Sequence, residues 1–135
     1  MKILLIDGQG GKIGKELTES IIGRFPEVEL TCVGTNTIAT SSMIKGGAKN
    51  AATGENAIVV CSRNADIIVG PIGIISADSL LGEITPKMAL AVAQSDATKI
   101  LLPMTKCSIM IAGIKSQPMS ALIEDTLNKI EELIK

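Results

Sequence analysis

Histidine, tryptophan and tyrosine are absent from the 135-residue chain, and Phe25 is its only aromatic residue. Without histidine there is no Ser-His or Cys-His nucleophile pair, no histidine-ligated metal centre, and none of the commonest general base. Without aromatics there are no platforms on which single-stranded nucleic acid stacks. An excess of one charge is missing too: 13 basic residues face 14 acidic ones, for a net charge of −1, so no broad field gathers nucleic acid or an anionic membrane. Neither is expected as a partner. Cysteine is sparse, and Cys32, Cys61 and Cys107 are too far apart for a CxxC metal or redox motif and odd in number for a disulfide framework. Cys32 and Cys61 read as small buried hydrophobes.

Long apolar runs are also lacking. The longest extends from Ile67 to Ala77 and is broken by Gly70, Pro71 and Gly73, well short of the roughly 20 residues that span a bilayer. The N-terminal segment reads as a strand, with Lys2 and Asp7 close by and none of the regions of a signal peptide, so a cytoplasmic location is expected. Yet 46% of residues are apolar and mean hydropathy is +0.39. Two sources fit: parallel strands buried on both faces, and a homo-oligomer interface, with a homodimer the expected state. A length of 135 residues predicts one domain spanning 1–135.

What is present is an alternation of strands and helices. Lys2 to Ile6 is an apolar run ended by glycines, after which Ile13, Leu17, Ile21 and Ile22 recur at helical spacing. Val28 to Val33 reads as a second strand, and Asn36 or Thr37 as the cap of a helix through Lys45 that Gly46 and Gly47 stop. A weak strand at Ala48 to Ala52 precedes a helix from Thr53-Gly54-Glu55 to about Arg63, although Ala57 to Cys61 also suits a strand. Asp66 to Val69 is a further strand, followed by a helix containing Ser76, Asp78 and Leu81 and by a second one opened by Thr85-Pro86. Lys99 to Leu102 and Ser108 to Ile114 read as the last strands, joined by too few residues for a parallel crossover, so that an antiparallel hairpin is expected. Met119, Leu122, Ile123, Leu127, Ile130, Leu133 and Ile134 then form a helical stripe. The pattern predicts an α/β three-layer Rossmann-like sandwich, its sheet mostly parallel in the order 3-2-1-4-5 with an antiparallel edge strand.

The first turn, Gly8-Gln9-Gly10-Gly11-Lys12-Ile13-Gly14, has the spacing G-x-x-G-x-x-G between a strand and a helix. Such a turn needs glycine for its tight bend, for phosphate approach to backbone N–H groups near Gly10 and Gly11, and for close helix packing at Gly14. It resembles the dinucleotide-binding turns of extended short-chain dehydrogenases and of dihydrodipicolinate reductase; a tight βα turn without a ligand would look the same. Where a typical NAD site places an acid, after the second strand, this chain has Gly34-Thr35-Asn36-Thr37. Thr35 and Asn36 suit the extra phosphate of NADP, and serve equally as helix caps. Asp7 just before the turn would repel a pyrophosphate unless loop N–H groups, Lys12 or a metal neutralise it. It either organises the turn or accompanies a ligand that carries Mg²⁺. Gly70, Pro71 and Gly73 would face the turn across the crevice, letting a cofactor approach or merely ending a strand.

Candidate groups for chemistry are few. Asp78 and Glu83 are the most plausible acids beside Asp7, though both also fit solvated surface charges, and Lys106 beside Cys107 would activate a thiol or simply form a hairpin turn. No metal-ligand spacing is present. The Tyr-x-x-x-Lys proton donor of short-chain dehydrogenases is absent as well.

The glycine turn, Gly34-Thr35-Asn36, Ala52-Thr53-Gly54-Glu55-Asn56, Gly70-Pro71-Ile72-Gly73-Ile74 and above all Ala77-Asp78-Ser79-Leu80-Leu81-Gly82-Glu83-Ile84-Thr85-Pro86 together resemble a small uncharacterised bacterial family catalogued as a domain of unknown function. That resemblance implies a whole-chain identity and no mechanism. From the residues, three readings follow: a protein binding a nucleotide, NADP ahead of other phosphate ligands; a non-catalytic regulatory or protein-interaction module; or a Mg²⁺-dependent hydrolase or transferase using Asp7, Asp78 or Glu83.

Overall fold

In the computed structural model, which describes residues 1–103 and 108–135, the chain runs β1 (Lys2–Asp7), α1 (Lys12–Arg24), β2 (Glu29–Gly34), α2 (Thr37–Lys45), β3 (Asn50–Thr53), α3 (Glu55–Ser62), β4 (Ile67–Pro71), a 3₁₀ turn (Ile72–Ile75), α4 (Pro86–Gln94), β5 (Thr98–Leu102) and α5 (Met119–Ile134). The five strands form one sheet in the order β3-β2-β1-β4-β5, and every pairing is parallel. Helices cover both faces. Side chains alternate along a strand, so in β1 Ile3 and Leu5 enter a core with Leu17 and Ile21 of α1, Met43 of α2 and Leu127 and Ile130 of α5. Leu4 and Ile6 enter the other, with Ile58 of α3 and Met88 and Val92 of α4. A central strand flanked in this way must be apolar at consecutive positions, which accounts for KILLI. Among the described residues no helix is long and apolar enough to cross a membrane.

Helix starts are set by local chemistry. The Asn36 side chain accepts the Ala39 N–H at 2.8 Å and caps α2. Thr85 accepts the Met88 N–H at 3.2 Å, with Pro86 in the first turn of α4, where a missing donor costs nothing. Cys32 is buried, and that burial pushes its thiol up to about 11 against a weaker opposing contact from the Thr18 hydroxyl, as expected of an inert core residue.

Two expectations fail. Among the described residues no antiparallel edge strand is seen: β5 pairs in parallel with β4, from Ile67 opposite Thr98 to Pro71 opposite Leu102, and Ser108 to Ile114 form no strand. Gly113, at φ +82°, bends that segment out of the extended conformation, and its apolar residues face outward, with Met110 98% exposed. The turn expected at Pro103 to Cys107 lies largely outside the described residues. The helix expected around Ser76, Asp78 and Leu81 is likewise replaced by a looped segment. Asp78, Leu80 and Leu81 have φ of +66°, +56° and +56°, and Gly82 of +88°, values incompatible with a right-handed helix. A 2.7 Å bond from the Asp78 N–H to the Ile84 carbonyl closes the loop on itself.

Candidate functional site

The sheet order reverses between β1 and β4, and ligands of open α/β sheets bind beyond the C-terminal strand ends at such a switch point. A cleft of ≈ 380 Å³ lies there, within the size range of small-molecule sites; the glycine turn from Asp7 to Ile13 forms one wall, and Glu16, Pro71, Leu80 and Met119 complete it. Of Gly70, Pro71 and Gly73, which the sequence placed across the crevice from the turn, only Pro71 lines the cleft with it.

Within the turn, each glycine has its own reason. A Cβ at Gly8 would lie 2.7 Å from the Thr35 hydroxyl and 2.9 Å from a Glu83 oxygen; one at Gly14 would lie 2.9 Å from both Asp7 and Met43. Gly11 combines φ +73° with an α2 backbone 2.7 Å from its would-be Cβ. Only at Gly10, among the turn glycines, is there nothing within 4 Å. Gly11 is therefore required by packed backbone and Gly14 by the side chains against it, Gly8 faces side-chain ends, and Gly10 is the position that leaves the backbone open.

Asp7 organises this turn. It is only 4% exposed; one carboxylate oxygen accepts the Gly8 N–H at 2.8 Å and the other accepts the Gly14 N–H at 2.6 Å. The second bond satisfies an orphan donor at the start of α1, a helix with no acid of its own in the first turn and no side-chain cap. Burial nevertheless raises the carboxyl above its ordinary range; the two N–H bonds oppose this, and the charge of Glu83 adds to it. The N–H groups of Gly10, Lys12 and Ile13, all cleft-lining residues, have no partner among the described residues.

Glu83, read from the sequence as a candidate acid or a solvated charge, is partly exposed in the loop after β4. It is a hub: its Oε1 accepts the Gln9 N–H at 2.7 Å, the Thr35 hydroxyl at 2.6 Å and the Asn36 amide at 3.1 Å. Asn36 also donates to the Gln9 carbonyl at 3.0 Å. Burial pulls the Glu83 carboxyl up, but these three bonds outweigh it and leave its pKa below the usual range. A group with a depressed folded value stabilises the fold above its unfolded pKa and loses that contribution as pH falls through the folded one. The melting-temperature gap between the parent and Glu83→Gln is therefore expected to be widest near neutrality and to close on acidification, which a pH series of thermal melts measures.

The other candidates are scattered. Gly70 is fixed by packing, because a Cβ there would lie 2.5 Å from the Ile6 carbonyl oxygen. Gly73 is buried in the 3₁₀ turn, where its carbonyl accepts the Ser79 hydroxyl. Asp78 is exposed and outside the cleft lining. Lys106 lies outside the described residues. Among the described residues no cluster of three or more Cys, Asp or Glu is arranged to hold a metal ion. The contributions of Leu80 and Met119 to the cleft went unseen, since both arrive from distant segments.

A family model described as "Domain of unknown function (DUF3842)" matches residues 2–135. The chain belongs to this family. No curated protein matches it. Among solved structures, it is similar to a dodecameric FMN-dependent Ubix-like decarboxylase from Escherichia coli O157:H7, with 17% identity, 97% of this chain and 76% of that one covered, and a TM-score of 0.47.

Proposed function

We propose that this member of the family binds a phosphate-bearing, nucleotide-like small molecule in the cleft on the glycine turn. The observation that carries the reading is the conjunction of a ≈ 380 Å³ cleft at the switch point with three unpartnered N–H groups, at Gly10, Lys12 and Ile13, in its wall. Such donors at a helix start, in a wall that also includes Lys12, suit a phosphate. Asp7 is already committed to the turn, so the reading needs no metal to neutralise it. The preference for NADP rested on Thr35 and Asn36 being free; both donate to Glu83, and that support falls away.

Thermal melts of the purified chain with AMP, NAD, NADP, FMN, ATP and GTP test this. At a ligand concentration 100 times Kd, stabilisation of about 2.7 kcal/mol is expected. Gly10→Val should abolish it while shifting the ligand-free melt little. An unaltered melt with every nucleotide, or undiminished binding by the variant, sinks the proposal.

The outward apolar residues support self-association as well. Met110, Ile111 and Ile114 are exposed beside Leu122 of α5, around a groove of ≈ 370 Å³, and a contiguous apolar surface of that kind marks an interaction site. Light scattering is expected to give twice the 14.0 kDa chain mass, and Met110→Glu with Ile114→Glu to return it to that of a monomer.

A further inference from the structure

Resting on the nucleotide reading above, we infer that Glu83 is the ribose-selecting residue of the site: the ligand has an unsubstituted ribose diol, and a 2′-phosphate is excluded. In dinucleotide-binding sheets, the acid that accepts the ribose hydroxyls stands at the end of the second strand. This chain has Gly34-Thr35-Asn36 there, with no acid.

The structure supplies one from elsewhere. Glu83 crosses from the loop after β4 and places its carboxylate against the end of β2 and the second residue of the glycine turn, through Thr35, Asn36 and Gln9. All three donors converge on Oε1, while Oε2 has no donor among the described residues. A carboxylate anchored through one oxygen offers the other as an acceptor in a fixed place. Glu83 also remains partly exposed. Glu83 does not itself line the cleft, but its Oε1 lies against two residues that do: it accepts the Gln9 N–H and stands 2.9 Å from the place a Cβ on Gly8 would take, with Leu80 of the same loop in the wall beside it.

The same arrangement defines what is rejected. A 2′-phosphate entering here would meet like charge, and the neutral donors that would have bound it are spent on the carboxylate. Thr35 and Asn36 thus act as positioning residues for Glu83. They read as phosphate ligands only while Glu83 is left out.

The test pairs ligands with and without each ribose feature: AMP, 2′-deoxy-AMP, adenosine 2′,5′-bisphosphate, NAD and NADP, titrated calorimetrically into the parent chain and Glu83→Gln. Glutamine keeps an acceptor oxygen for Gln9, Thr35 and Asn36, so the variant is expected to fold, and its ligand-free melt checks that it does. Since a hydrogen bond to a charged group is worth about 1.5–3 kcal/mol, the parent should prefer AMP to 2′-deoxy-AMP, and NAD to NADP, by about tenfold or more. In Glu83→Gln both preferences should collapse to within about threefold, because the acceptor and the repulsive charge are both lost. Thr35→Val, which loosens one anchor, should reduce the preference without abolishing phosphate binding. If nucleotides bind but these ratios are the same in parent and variant, Glu83 does not select the ribose, and the nucleotide reading stands alone. If none binds to either chain, that reading fails and takes this one with it.

Discussion

Asp7→Ala is expected to lower unfolding stability by about 2–4 kcal/mol, read as a lower midpoint in urea with an unchanged slope. The size comes from two opposing effects. Removing the carboxylate strands the N–H groups of Gly8 and Gly14, which it holds at 2.8 and 2.6 Å, and a buried donor left without a partner costs about 1–3 kcal/mol. Relief of a charge held in a poorly hydrated place works the other way, in line with the upward displacement of its pKa. Asp7→Asn separates the two: it removes the charge and keeps one acceptor, so it should cost less than alanine. A variant chain as stable as the parent would show that the turn does not depend on this anchor. The raised pKa has its own signature. The carboxyl's favourable contribution is complete below its unfolded value and lost as pH rises through the folded one, so the penalty for Asp7→Asn should be greatest in acid.

Gly11→Val should be the more damaging substitution, at about 3 kcal/mol or more, and the protein is expected to accumulate unfolded or insoluble. The residue sits at φ +73°, and its new Cβ would meet the Ala39 backbone at 2.7 and 2.8 Å. Backbone of a packed helix cannot swing aside as a side-chain tip does. By contrast Gly10→Ala, with nothing within 4 Å, should change stability by no more than about 0.5 kcal/mol. Circular dichroism melts of the two variants side by side check the pair. Equal melts would mean that α2 does not press on the turn as described. The contrast also separates glycines that hold the turn together from the one that leaves room beside it, a distinction invisible in the spacing G-x-x-G-x-x-G.

Periodicity carried the sequence reading wherever a segment's burial was simple. β1 and β4 are buried on both faces, and their apolar runs predicted them; Asn36 and Thr85 cap the helices expected of them because capping depends on neighbours three residues away. The strand order follows from the same alternation. Ser108 to Ile114 misled because an apolar run signals burial or an exposed sticky surface alike, and only the fold decides which. The loop from Ser76 to Glu83 misled for a different reason. Its residues pass for an ordinary helix, yet the backbone winds left-handed at Asp78, Leu80 and Leu81, a choice imposed by tertiary contacts. Most of the site's logic was illegible for that reason: the bond from the Gln9 N–H to Glu83 spans 74 residues, beyond the reach of any local pattern. The glycine turn announced where to look; the acid beside it had to be seen in place.

The all-parallel sheet has a practical corollary. Every strand delivers its C-terminal end to the edge where the cleft opens, so β1 begins at the opposite edge, about 20 Å away for six residues at a strand's rise. α5 starts at the cleft with Met119 and runs back for 16 residues, about 24 Å. Both Met1 and Lys135 consequently lie on the side remote from the ligand wall. A tag, fluorophore or surface tether at either of them holds the molecule with its cleft facing solution, an orientation suited to immobilised screening of nucleotide libraries.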